Sequence, residues 1–129
     1  MLAVAVAAPT AAPATAAPLV SYHLTGGLIG FDDDLVVRRD GRATLSSRGE
    51  TRRFRLAPRV RRRLVVAVRR ARFATLQPAY EPEARVSDGT TETVTHAGRT
   101  VRVETGAEIP RRLANLLSRL NRIVDRHRP

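Results

Sequence analysis

Three groups of residues in this sequence could support chemistry: the histidines, a glycine-rich stretch that ends in aspartates, and the arginines. The histidines His23, His96 and His127 are far apart in the sequence, and no H-E-x-x-H or G-x-S-x-G motif is present. Glu81 and Glu83 lie in a proline-containing segment without an evident partner carboxylate. We therefore expect that the protein is not an enzyme, and we expect no cofactor and no metal site.

The glycine-rich stretch is TGGLIGFDDD, residues 25–34. Binding of a dinucleotide phosphate needs the spacing G-x-G-x-x-G between a strand and a helix, whereas here the spacing differs and a strand is predicted to follow. The adjacent aspartates would also repel a phosphate. Two interpretations remain: the apolar residues pack against the rim of their own domain, or they form a displayed loop that enters a groove of a partner. The candidate partner-binding residues are Gly26, Gly27, Leu28, Ile29, Gly30, Phe31, Asp32 and Asp33.

The run Asp32 to Asp34 lacks the D-x-[DN]-x-[DN]-G pattern of a calcium-binding loop. Consecutive residues of a strand also point to opposite faces, so three such carboxylates would not converge on one ion. We expect a solvated acidic turn that can face a partner.

The basic residues are all arginine, and they give the chain a net charge of +11. The absence of lysine, together with abundant Ala, Val, Pro and Gly, indicates a coding bias that enriches arginine on any solvated surface. Nucleic-acid binding is not expected, because aromatic residues are not interleaved with the arginines. An alternative is that a helix rich in arginine binds a polyanion. The residues of this alternative site are Arg59, Arg62, Arg63, Arg69 and Arg70.

The elements that must position these residues follow from hydrophobic periodicity in a chain of 129 residues, which is long enough for one domain. Asp40-Gly41 predicts a two-residue hairpin turn, and prolines predict a loop over residues 73–88. The element order β-β-β-β-α-β-β-α predicts an α+β fold in which a mostly antiparallel sheet packs against two amphipathic helices. Strands are predicted over 19–25, 35–38, 42–46, 51–56, 90–95 and 100–104, and helices over 58–71 and 110–125.

Residues 1–18 contain no charged residue and consist mainly of Ala, Pro, Val and Thr. A short apolar run followed by Ala14-Thr15-Ala16 is typical of a signal peptide, although the basic residues that usually precede the run are missing. The alternative is a disordered Ala/Pro tail. The run is too short to span a membrane. We favour export, which predicts a secreted or extracytoplasmic protein whose folded domain covers residues 19–129.

Several segments together resemble the emfourin family, which is named after a protein inhibitor of thermolysin-like metalloproteases. They are SYHLTGGLIGFDDDLVVRRDGRATL, then FRLAPRVRRRLVVAVRRARFATL, then TETVTHAGRTVRVE, and a last leucine-rich helix. The resemblance covers about residues 19–125 and includes Phe73 and Leu76 after the first helix. It implies a sheet packed on helices and stoichiometric inhibition of a metalloprotease.

The leading hypothesis is therefore an exported, monomeric protein-binding module, a metalloprotease inhibitor of the emfourin type. In this hypothesis Leu28, Ile29 and Phe31 occupy apolar subsites of the protease cleft, and the aspartates contribute polar contacts at its rim. The alternative is the basic domain that binds a polyanion or nucleic acid through its arginine-rich helices.

Overall fold

A computed structural model describes residues 17–129 as one seven-stranded sheet and two α-helices. It confirms the predicted α+β class and the mostly antiparallel sheet. A short 3₁₀ turn, Phe73–Thr75, follows the first helix. The elements are β1 (Val20–Gly26), β2 (Phe31–Val37), β3 (Arg42–Ser47), β4 (Glu50–Arg55), α1 (Pro58–Ala71), β5 (Ala79–Tyr80), β6 (Thr90–His96), β7 (Arg99–Glu104) and α2 (Arg111–His127).

The strands lie in the order β4-β3-β2-β1-β6-β7-β5. The first four strands form an antiparallel meander, and β6 pairs with the free side of β1. Strand β5 is only two residues long and pairs with β7 in parallel. The sequence did not predict it, because it lies within the proline-containing segment that was expected to be a loop.

The hydrophobic core lies between one face of the sheet and the two helices. Alternate residues of β1 (Val20, Tyr22 and Leu24) are buried, whereas the residues between them are partly exposed. Each helix buries a single apolar stripe, as the 3.6-residue period predicts. All buried apolar residues within 17–129 belong to one cluster. Within the described residues, the opposite face of the sheet carries mainly polar side chains and no helix; we call it the open face.

A polar network fixes α2 on the centre of the sheet. The Tyr22 hydroxyl donates a hydrogen bond to Glu92 Oε2 (2.8 Å), and Asn121 Nδ2 donates to the same oxygen (3.2 Å). These residues lie on β1, β6 and α2. Burial raises the pKa of Tyr22, and the neighbouring Glu92 raises it further, so the phenol stays protonated and remains a donor.

The structure corrects the predicted start of the second strand. Strand β2 begins at Phe31 rather than Leu35, so the three aspartates lie in a strand and not in a turn. Aspartate has a low intrinsic preference for strands. Here the backbone of these residues pairs with β1 on one side and, from Asp33 onward, with β3 on the other, and this pairing outweighs the local preference.

The turn between β2 and β3 also differs from the prediction. Its loop has three residues, 39–41, because Arg38 N donates to Arg42 O (2.8 Å) and Gly41 N donates to Arg38 O (3.0 Å). Gly41 adopts φ of +93°, which suits glycine. The Asp40 carboxylate accepts a hydrogen bond from Arg42 N (2.9 Å), and this bond lowers the pKa of Asp40.

Among residues 17–129, no helix is long and apolar enough to cross a membrane. The segment on which the export hypothesis rests lies largely outside the described residues, since the structure describes none of residues 1–16.

Candidate protein-binding loop

The connection between β1 and β2 is a tight turn of four residues, Gly27 to Gly30, with two apolar residues at its tip. Gly30 N donates a hydrogen bond to Gly27 O (3.1 Å), which closes the turn around Leu28 and Ile29. Leu28 is 86% exposed and Ile29 is 67% exposed. These two residues therefore do not pack against the rim of their own domain, and they are exposed at the tip of the loop. We call residues 27–30 the apolar loop.

Glycine is required where the loop leaves β1. Gly26 and Gly27 have φ of +90° and +78°, which other residues rarely adopt. A Cβ atom at Gly26 would lie 2.7 Å from the carbonyl oxygen of Gly89, closer than such atoms approach. Gly27 N donates a hydrogen bond to this same oxygen (3.1 Å). The segment before β6 therefore supports one side of the apolar loop.

The turn between β3 and β4 supports the other side. The guanidinium group of Arg48 donates a hydrogen bond to the carbonyl oxygen of Ile29. Arg48 N also donates to Asp32 O (3.3 Å), which ties this turn to the first residues of β2. The loop is held through its backbone on both sides, while its two apolar side chains point into solvent.

Phe31 and Asp33, which the sequence placed among the partner contacts, both take part in the fold, Phe31 as a half-buried residue and Asp33 as a buried one. Phe31 packs against the core, and the Arg128 guanidinium carbon lies 4.8 Å from the centre of its ring. Asp33 is 1% exposed. Ser47 Oγ donates to Asp33 Oδ1 (2.5 Å), and Arg128 donates to Oδ2 from Nε (3.1 Å) and Nη2 (2.7 Å). The bonds to Asp33 raise the pKa of Arg128.

Asp33 therefore lies on the core face of β2, whereas Asp32 and Asp34 lie on the open face. The inward position of Asp33 could have been predicted from the sequence, because Asp33, Leu35 and Val37 alternate with exposed or half-buried residues as one side of a strand does. Its ion pair was not foreseeable, since Arg128 is 95 residues further along the chain. Asp32 and Asp34 remain exposed on either side of His23, with nitrogen-to-oxygen distances of 3.7 and 3.9 Å.

The three histidines are not brought together. His23 lies on the open face, whereas His96 lies on the core side, where its Nδ1 is 2.7 Å from Leu19 O and its ring packs against Phe73. His127 stacks on Phe54 at a centroid distance of 3.7 Å. Within residues 17–129, no group of three or more His, Asp or Glu side chains is placed to hold a metal ion.

The arginines of the alternative site divide into two sets. Arg63 and Arg70 line a groove between α1 and α2, with a volume of about 300 Å³. Arg59, Arg62 and Arg69 are exposed on α1 but do not line this groove. The remaining arginines of the groove come from α2. Periodicity placed both sets on helices, but it could not show which helix faces would lie side by side.

No protein-family model and no curated protein matches this chain. The resemblance to the emfourin family therefore stays a hypothesis.

Proposed function

We propose that this protein is a protein-binding module whose contact surface is the apolar loop, and that its partner is a thermolysin-like metalloprotease that it inhibits stoichiometrically. The observation that carries the proposal is the pair Leu28 and Ile29. They are the two most exposed large apolar side chains among the described residues, and they lie next to each other at the tip of a fixed turn. The resemblance to the emfourins supplies the class of partner.

The free energy of binding would come mainly from burial of these two side chains. Complete burial of a leucine or isoleucine contributes about 1.5–3 kcal/mol. The glycine backbone is already fixed by Gly89 and Arg48, so little further conformational entropy is lost on docking. Such a preformed loop places both side chains in apolar subsites of a cleft without rearranging its backbone. It needs no catalytic group of its own, in keeping with our expectation that the protein is not an enzyme.

Fewer of the other candidate residues would contact the partner than the sequence suggested. Gly26, Gly27 and Gly30 set the shape of the loop, and Phe31 and Asp33 hold the start of β2 in place. Of the acidic residues, Asp32 and Asp34 are exposed and remain available for polar contacts at the rim of a cleft. Export from the cytoplasm belongs to the same proposal, since it would bring the protein together with a secreted protease.

The test is a titration of the full chain into a thermolysin-like metalloprotease, with a serine protease as a specificity control. We expect loss of metalloprotease activity with an end point at equimolar inhibitor, and no effect on the serine protease. The variant L28S/I29S should weaken inhibition by at least about a hundredfold, as expected when two apolar anchors are lost. The control V66S changes an exposed valine on α1, 42% exposed and away from the loop, and should inhibit like the unmodified chain.

Absence of inhibition at micromolar concentration would overturn the metalloprotease assignment. Inhibition that L28S/I29S and V66S retain equally would overturn the assignment of the apolar loop as the contact surface. Thermal melts of both variants distinguish a lost contact from a lost fold, because neither substitution touches a buried side chain.

A further inference from the structure

The two helices form a groove on the surface opposite the sheet, and its geometry follows from their antiparallel packing. Arg112, in the first turn of α2, donates from Nε to the carbonyl oxygen of Ala71 (3.0 Å) and from Nη2 to Thr75 Oγ1 (3.0 Å). The beginning of α2 therefore lies beside the end of α1. These bonds also hold the Arg112 guanidinium group in one orientation at one end of the groove.

The walls of the groove are strongly basic. Five arginines line it, and Val66 contributes an exposed apolar surface between them. On each helix one pair of arginines is seven residues apart, Arg63 with Arg70 and Arg112 with Arg119, so the members of a pair are separated by about 10 Å along the helix axis. Asn115 and Ser118 supply neutral hydrogen-bonding groups. The five arginines are Arg63, Arg70, Arg112, Arg119 and Arg122.

Carboxylates do not compensate this charge. Helix α1 contains six arginines and no acidic residue, and the single acidic residue of α2, Asp125, forms an ion pair with Arg128. Within residues 17–129, none of the five groove arginines forms a salt bridge, and the groove lining contains no Asp or Glu. Like charges that converge in a concave site repel one another and concentrate a positive potential there. An anion in the groove would remove this repulsion.

We propose that this groove binds a compact anion that carries two or more phosphate groups. Guanidinium groups bind phosphate oxygens through paired, charge-assisted hydrogen bonds. Arg112 already uses Nε and Nη2 within the fold, but the other four guanidinium groups of the groove still exceed what one phosphate can use. The spacing of about 10 Å suits several linked phosphates rather than one. The lining contains no aromatic side chain on which a nucleobase could stack, which favours the phosphate groups themselves as the recognised chemistry.

The test measures binding of inorganic tripolyphosphate to the full chain by isothermal titration calorimetry at low and at physiological salt. The variant R63Q/R70Q removes two charges from the groove. The variant R62Q/R69Q removes two charges from the neighbouring positions of the same helix, outside the groove, and so provides a control with equal net charge. We expect R63Q/R70Q to weaken binding by at least about tenfold and R62Q/R69Q by less than about threefold.

A second groove variant with its own control, both on α2, shows whether a loss of binding comes from the groove or from an effect of the α1 substitutions on folding. R119Q/R122Q should weaken binding as R63Q/R70Q does, whereas R111Q/R126Q should not. Equal weakening by groove and control variants would overturn the proposal, since it would show diffuse attraction to a basic protein. Absence of binding by the unmodified chain would overturn it as well. Groove-dependent binding of a single-stranded oligonucleotide without binding of tripolyphosphate would replace it with nucleic-acid recognition.

Discussion

The ion pair between Asp33 and Arg128 gives a sharp test of how the start of β2 is held. In the variant R128M, the carboxylate of Asp33 keeps its hydrogen bond from Ser47 but loses two bonds from the guanidinium group. Removal of one partner of a fully buried pair costs about 3–5 kcal/mol. The Arg128 side chain is 30% exposed, so water can partly replace it. We therefore expect the free energy of unfolding to fall by about 2–3 kcal/mol.

A decrease of this size is a large share of the roughly 5–15 kcal/mol that stabilises a typical domain. For a chain of this length it corresponds to a Tm about 6–15 °C lower. The measurement is chemical and thermal unfolding followed by circular dichroism. The control R126M makes the same substitution two residues earlier, at an exposed position of α2, and should change stability by less than about 0.5 kcal/mol.

The double variant D33N/R128M separates the ion pair from packing of the arginine stem over Phe31. Since it removes the buried charge together with its partner, it should be at least about 1 kcal/mol more stable than R128M alone. Equal stability of R128M and the unmodified chain would refute the reasoning, because the contact would then contribute nothing in solution. If D33N/R128M is no more stable than R128M, the loss of stability in R128M comes from lost packing of the arginine stem over Phe31.

Two further predictions concern the support of the loop and the stacked histidine. G26A should lower the free energy of unfolding by about 1–3 kcal/mol in chemical denaturation, because residue 26 has φ of +90° and a Cβ there would meet the carbonyl oxygen of Gly89. G49A, also at positive φ but with open space around it, should lower the free energy of unfolding by less. Equal losses would show that the close approach to Gly89 is unimportant. Burial, and then the neighbouring arginines, lower the pKa of His127 below 6.5. The unfolded state therefore binds the proton more readily, and the stability of the fold should fall as the pH drops below about 6.5. H127F should preserve the stacking on Phe54 and flatten this part of the profile of Tm against pH, whereas an unchanged profile would contradict the assignment to His127.

The sequence predicted those features that depend on local pattern. Alternation along β1 and the helical period of α1 and α2 identified the core, because a face that is buried must be apolar at a fixed spacing. It failed where distant segments decide the outcome. The strand conformation of Asp32 to Asp34 depends on pairing with both neighbouring strands, and the burial of Asp33 depends on Arg128, which no local pattern connects to it.

The same distinction applies to the functional surfaces. The composition of TGGLIGFDDD indicated a shaped turn with apolar residues, and the structure shows which of them are displayed. Leu28 and Ile29 lie beyond the last paired residues of the hairpin, whereas Phe31 is the first residue of β2 and packs inward. The arginine-lined groove could not be predicted, because it exists only where two helices from different parts of the sequence meet.

The order of the strands also bears on how the protein behaves at high concentration. The sheet ends at β4 on one side and at β5 on the other, and an exposed strand at either edge could pair with a second copy of the chain. Strand β5 offers only two residues for such pairing. Strand β4 is longer, but it carries Arg52, Arg53 and Arg55, all exposed, so two such edges would repel each other. The arginines of β4 therefore oppose aggregation, a role that needs no ligand.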